Sequence, residues 1–190
     1  MSLLFSQNKP RPIILAIICP TCAKQAIFIS GISKKICKKD IPLFEKHPSF
    51  GLCFSVPTTV GVDYYAVYFP GLHEPDASYL SAAPDDQPTS RWTGNESIDN
   101  GTAICDHCLL RKKHFLRWPT DAFFQWKIRH GKVLWAWNRE HAVELRDYIL
   151  SKNRTRTPTS FSLPADFKKK SVRDLICKKI NASLLTGLSS

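Results

Sequence analysis

The sequence predicts an α+β protein in which a β core, split by a long insertion, is followed by a β-hairpin with its helix and by a C-terminal helix. Three observations predict it. Short β-branched and aromatic runs bounded by turn residues dominate the chain up to Phe69; an acidic stretch broken by Pro and Gly then interrupts them; apolar residues at 3- to 4-residue spacing appear only towards the end.

Taken in order, Pro12 to Ile18 is expected to be a buried strand and Ala26 to Ser30 its return strand. Leu52 to Val56 and Tyr64 to Phe69 are further strands, and the basic run Ser33 to Lys39 is expected to be a loop. Residues 70–102 carry six acidic groups against one basic, with Pro70, Pro75, Pro84 and Pro88 and Gly71, Gly94 and Gly101, which predicts a long surface loop. Phe123 to Arg129 and Lys132 to Trp137 alternate around His130-Gly131, where Gly131 can supply the positive φ of a tight hairpin turn. Asn138 is a good N-cap for an amphipathic helix over Arg139 to Ser151, with Ala142, Leu145, Tyr148 and Ile149 on one side. Hairpin and helix make one ββα unit. A Thr/Pro-rich basic linker is expected at 153–163 and an amphipathic helix from Pro164 to Leu185. The domain reading is therefore a β-core domain over 1–152 with its insertion at 70–102, the linker, and a helical tail over 164–190.

Composition narrows the function classes. The chain has 190 residues, a net charge of +11 and a 43% hydrophobic share with five Trp, enough for a core, which excludes a disordered or fibrous chain. The longest apolar run, Ile13 to Ile18, is far short of the roughly 18 to 20 residues of a membrane span. It is followed by Cys19-Pro20, not by a small-x-small cleavage site, so the start is expected to be a strand and the protein cytoplasmic.

Four of the seven cysteines form two close pairs, Cys19/Cys22 and Cys105/Cys108. Each CxxC can bend into a knuckle that turns two thiolates onto one metal ion, and two knuckles complete a tetrahedral four-sulfur site. Metal binding in a reducing compartment suits this spacing better than a disulfide framework. Cys19, Cys22, Cys105 and Cys108 are accordingly the expected zinc ligands, with Cys37 or His107 as conceivable replacements for one of them. A thioredoxin-like role for Cys19/Cys22 would require a helix after the motif, where a strand is expected. Cys37, Cys53 and Cys177 are single and read as small hydrophobes or surface thiols.

The segment from the Pro12 to Ile18 strand through Cys19-Pro20-Thr21-Cys22 to Ile29, taken with Cys105-Asp106-His107-Cys108, resembles the zinc ribbons. That resemblance covers about 20 residues around the knuckles and implies a metal and a local fold; many zinc ribbons bind nucleic acid or protein. The 82 residues between the pairs, against roughly 15 to 20 in the common pattern, demand an inserted subdomain. Asn100 to Cys108, with Lys112 and Lys113 following, also looks like the end of an HNH nuclease motif. There a His activates water and further ligands hold a divalent ion. Upstream only His73 is available for that role and the family's adjacent Asp-His pair is missing, so a degenerate HNH-like nuclease is kept as an alternative.

No Ser/His/Asp set and no glycine-rich phosphate loop stands out, and the reading is non-enzymatic. Arg111, Lys112, Lys113 and Arg117 leave the second knuckle, and Lys127, Arg129 and Lys132 line the hairpin tip, interleaved with aromatics. Such residues attract phosphates and stack on unpaired bases, so they are the candidate contacts to DNA or RNA in a regulatory or accessory factor. The competing class is a protein adaptor whose cationic 164–190 helix docks on an acidic partner; the same helix would also suit a membrane surface.

Overall fold

A computed structural model of the chain describes residues 14–73, 99–127, 131, 133–151 and 170–186. It is an α+β protein with antiparallel pairing in every sheet. The chain divides into two compact units, Met1–Ala26 with Trp118–Ser190, and Ile27–Arg117.

A four-stranded sheet has the order β1-β2-β6-β7, with β1 at Ile14–Ile18, β2 at Gln25–Ser30, β6 at Asn100–Cys105 and β7 at Leu110–Phe115. Within unit 27–117, β2 and β6 pair closely because β6 carries Gly101 and Ala103 opposite Ser30 and Phe28. A Cβ at Gly101 would overlap the Ile29 carbonyl and the Phe28 ring, so only glycine fits. A second sheet of order β3-β5-β4 joins Ile32–Ile36, Gly61–Tyr68 and Phe50–Thr58. Its inner face packs Ile36, Phe44, Phe50 and Ala66 together, with Phe44 supplied by the short helix α1, Ile41–Lys46.

Here the sequence reading needs correction. Ser33 to Lys39 is not a loop: Ile32–Ile36 is β3 and Lys38–Asp40 is a 3-10 turn leading into α1. Two lysines hide the alternation, and the strand exists because β5 pairs along its whole length while Lys35 Nζ meets Asp63 at 2.8 Å. That carboxylate also raises the Lys35 pKa above the ordinary 10.5.

In the other unit, β8 (Phe124–Lys127) and β9 (Val133–Ala136) form the hairpin, with Gly131 at φ +69°. The alternation puts Phe124, Trp126, Leu134 and Ala136 inward. Helix α2, Arg139–Leu150, starts where Asn138 Oδ1 accepts the His141 backbone N–H at 2.9 Å. His141 is itself buried and its Nδ1 accepts the Trp137 N–H at 3.1 Å, a capping role at the turn. Helix α3 is described over Lys170–Thr186. Its Ile176, Cys177, Ile180 and Leu184 complete one core with Ala142, Leu145 and Ile149 of α2 and the inward face of the hairpin. Trp126 Nε1 donates to Ser183 Oγ at 2.9 Å, and Arg139 donates to the Leu184 carbonyl at 2.7 Å. The apolar side of α3 is thus occupied within its own unit. The expected linker 153–163 and most of the expected insertion lie outside the described residues; β6 opens at Asn100, two residues short of the end of the predicted loop.

Candidate metal centre

Both knuckles are built by the ends of strands. Apolar β1 delivers Cys19, 2% exposed, into a turn through Pro20 and Thr21 that closes before β2. Within it the Cys19 N–H donates to the Lys24 carbonyl at 2.8 Å, and the Ala23 N–H to the Cys19 carbonyl at 3.0 Å. The Thr21 N–H lies 3.4 Å from Cys19 Sγ, an orientation that favours negative charge on sulfur. The second knuckle repeats the plan: β6 ends on buried Cys105, the turn passes Asp106 and His107, and β7 resumes at Leu110, the partner of Cys105 across the strand pair.

The two turns share an unusual backbone feature. The residue after the second cysteine is left-handed in each, Ala23 at φ +60° and Leu109 at φ +56°. This bend turns the chain out of each knuckle and into the strand that follows, at a steric cost to any residue with a Cβ. The register explains why knuckles so far apart in sequence meet: Ile27 pairs with Ile104, which places the start of β2 beside the end of β6.

The four Sγ atoms of Cys19, Cys22, Cys105 and Cys108 lie within 4.8 Å of one another. A tetrahedral ion with metal–sulfur bonds of about 2.3 Å needs sulfurs roughly 3.8 Å apart, so small side-chain rotations close the site. Two of the four cysteines are buried and two half-buried. Among the described residues this is the one group of three or more Cys, His, Asp or Glu side chains arranged to hold a metal ion. His107 is exposed, Cys37 is exposed, and neither belongs to the cluster.

The expected phosphate contacts have different surroundings. Arg111 and Lys113 share one face of β7 and Lys112 takes the other, all three exposed. Arg111 Nη1 donates to the Gly71 carbonyl at 3.3 Å. Lys113 is tied into its unit: Nζ donates to the Phe50 carbonyl at 2.6 Å and stands 5.1 Å over the Phe69 ring. Arg117 is exposed just beyond β7. Lys127 ends β8 with an exposed side chain, its carbonyl accepting from Lys179 Nζ at 2.8 Å. Arg129 and Lys132 lie outside the described residues. His73, exposed, contributes its carbonyl to Ser49 Oγ. Sequence reasoning missed the left-handed residues after each knuckle, because neither is the glycine or asparagine that advertises this conformation.

No helix among the described residues is long and apolar enough to cross a membrane. No family model, curated protein or solved structure matches the chain.

Proposed function

We propose that this is a non-enzymatic zinc-binding protein that binds nucleic acid as a regulatory or accessory factor. The observation that carries the metal half is the meeting of four thiol sulfurs within 4.8 Å. Four soft, anionic sulfur donors this close together suit zinc, and four protein ligands leave no position for water or substrate. The metal in this reading is a staple, which speaks against the nuclease alternative. The zinc-ribbon character is local: strand, Cys-Pro-x-Cys turn, return strand, and a second knuckle on the neighbouring strand.

The nucleic-acid half is supported by where the second knuckle leads. Its outgoing strand is Leu110–Phe115, an edge strand presenting Arg111 and Lys112 to solvent in a chain of net charge +11. Lysines also protect sheet edges from aggregation, so the test must separate specific phosphate contact from general charge. Affinity for a nucleic acid measured across salt concentrations should fall with a slope of about −0.7 to −0.9 per contact. Replacing Arg111 and Lys112 by Ala together should flatten it by up to about two units while leaving metal content unchanged. Affinity no higher than that of an unrelated protein of equal charge, at about 0.15 M salt, would overturn this half. The adaptor reading loses its main support, since the apolar side of α3 is already packed against α2 and β8.

A further inference from the structure

Unit Ile27–Arg117 contains a cleft of about 270 Å³ that the metal centre does not use. Gly51 and Leu52 border it on β4, Asn100 on β6, Lys113 and Phe115 on β7, and Phe69 beyond β5. Two large apolar side chains are held at the surface here, Phe115 at 56% and Leu52 at 51% exposure. Leu52 is moreover held at φ +48°, in the bulge between Gly51 and Phe54, a conformation that costs a branched residue energy. A Cβ on Gly51 would come within 3.1 Å of Lys113 Nζ and 3.5 Å of Phe69, so the missing side chain keeps the space open.

The polar side of the cleft is specific too. Lys113 uses one donor on the Phe50 carbonyl and, exposed, keeps others for a ligand. Asn100, which also borders the cleft, lies on the same sheet face as Lys113 in the β6–β7 register.

We propose that this cleft takes one unpaired nucleotide of a single-stranded nucleic acid, its base against Phe115 and Leu52 and its phosphate at Lys113. The inference rests on the nucleic-acid reading above and makes it specific. The cleft falls below the roughly 300 Å³ at which drug-sized pockets begin, which suits a single planar ring system and excludes a dinucleotide cofactor. Arg111 and Lys112 continue the positive charge along β7 for neighbouring phosphates, which favours a strand over a free nucleotide. A base within a duplex has both faces covered and cannot stack on Phe115; an unpaired one can.

The test compares a single-stranded oligonucleotide with a duplex of the same sequence, by fluorescence anisotropy at one salt concentration, for wild type, Phe115→Ala and Phe115→Trp. Loss of one base–aromatic stack should weaken single-strand binding by about 5- to 150-fold. Duplex affinity and metal content should not change, and Phe115→Trp should restore single-strand binding. An equal loss on both substrates, or no loss on the single strand, overturns the cleft while the broader reading stands. Wild type binding neither substrate overturns both. Gly51→Val, which fills the cleft from β4, is a second variant with the same expected and contrary outcomes should Phe115→Ala lose its metal.

Discussion

The left-handed residues after each knuckle, Ala23 and Leu109, show how little the metal centre owes to ideal local chemistry. Neither is glycine, so each carries a steric cost that the folded turn has to offset. Leu109 is 85% exposed and buries almost nothing in return. Leu109→Gly should therefore raise stability by about 0.5 to 1 kcal/mol in chemical denaturation, the relief of strain exceeding the added entropy of the unfolded chain. A destabilisation of that size would show that the φ of this turn is not a strained one. At the same scale, Lys113 illustrates what residue type alone conceals. It reads as one more base in a run of three, yet its ammonium is held in place by the Phe50 carbonyl, a partner 63 positions away that no local pattern announces.

Among the elements, α2 was legible in the sequence down to its cap, because an N-cap is a contact between residues three apart. Asn138→Ala should cost about 1 kcal/mol in thermal or chemical unfolding, and an unchanged midpoint would mean the His141 N–H finds another acceptor. The β8–β9 hairpin was equally legible, since Gly131 and the alternation around it are local signals. β3 and α1 were not. β3 takes its stability from pairing with β5, a tertiary cause, and α1 is six residues long with proline in its first turn. Helix α3 was foreseen as a helix but not as a core element. Its Ile180 is fully buried, so Ile180→Ala should cost about 2 to 5 kcal/mol. Cys177 beside it adds a pH signature. Burial, aided by Asp174, pushes its thiol pKa above the ordinary 9.0. The folded state therefore holds that proton more tightly than the unfolded chain. Its contribution is complete below the ordinary value and is lost as pH rises through the raised one. Wild type should lose stability more steeply than Cys177→Val over that alkaline range; parallel curves would place the sensitivity elsewhere.

For the whole molecule, chemistry linked what periodicity could not. Nothing in hydrophobic pattern connects residue 22 with residue 105, but two CxxC pairs are a ligand set whatever lies between them, and the β2–β6 register brings the set together. The boundary of the tail followed the opposite course: composition made 164–190 look detachable, whereas α3 supplies Ile176, Ile180 and Leu184 to the core it shares with α2. Truncation after Ser151 should accordingly abolish cooperative unfolding rather than remove only a docking helix, and a truncated chain with an unchanged midpoint would contradict that packing. The central claim is the four-thiolate metal centre, and metal content by mass, on protein purified under reducing conditions, tests it most directly. One zinc per chain, lost when Cys105 and Cys108 are both changed to Ser, is the result this account predicts. A chain that carries no metal, or keeps it after both changes, would contradict it.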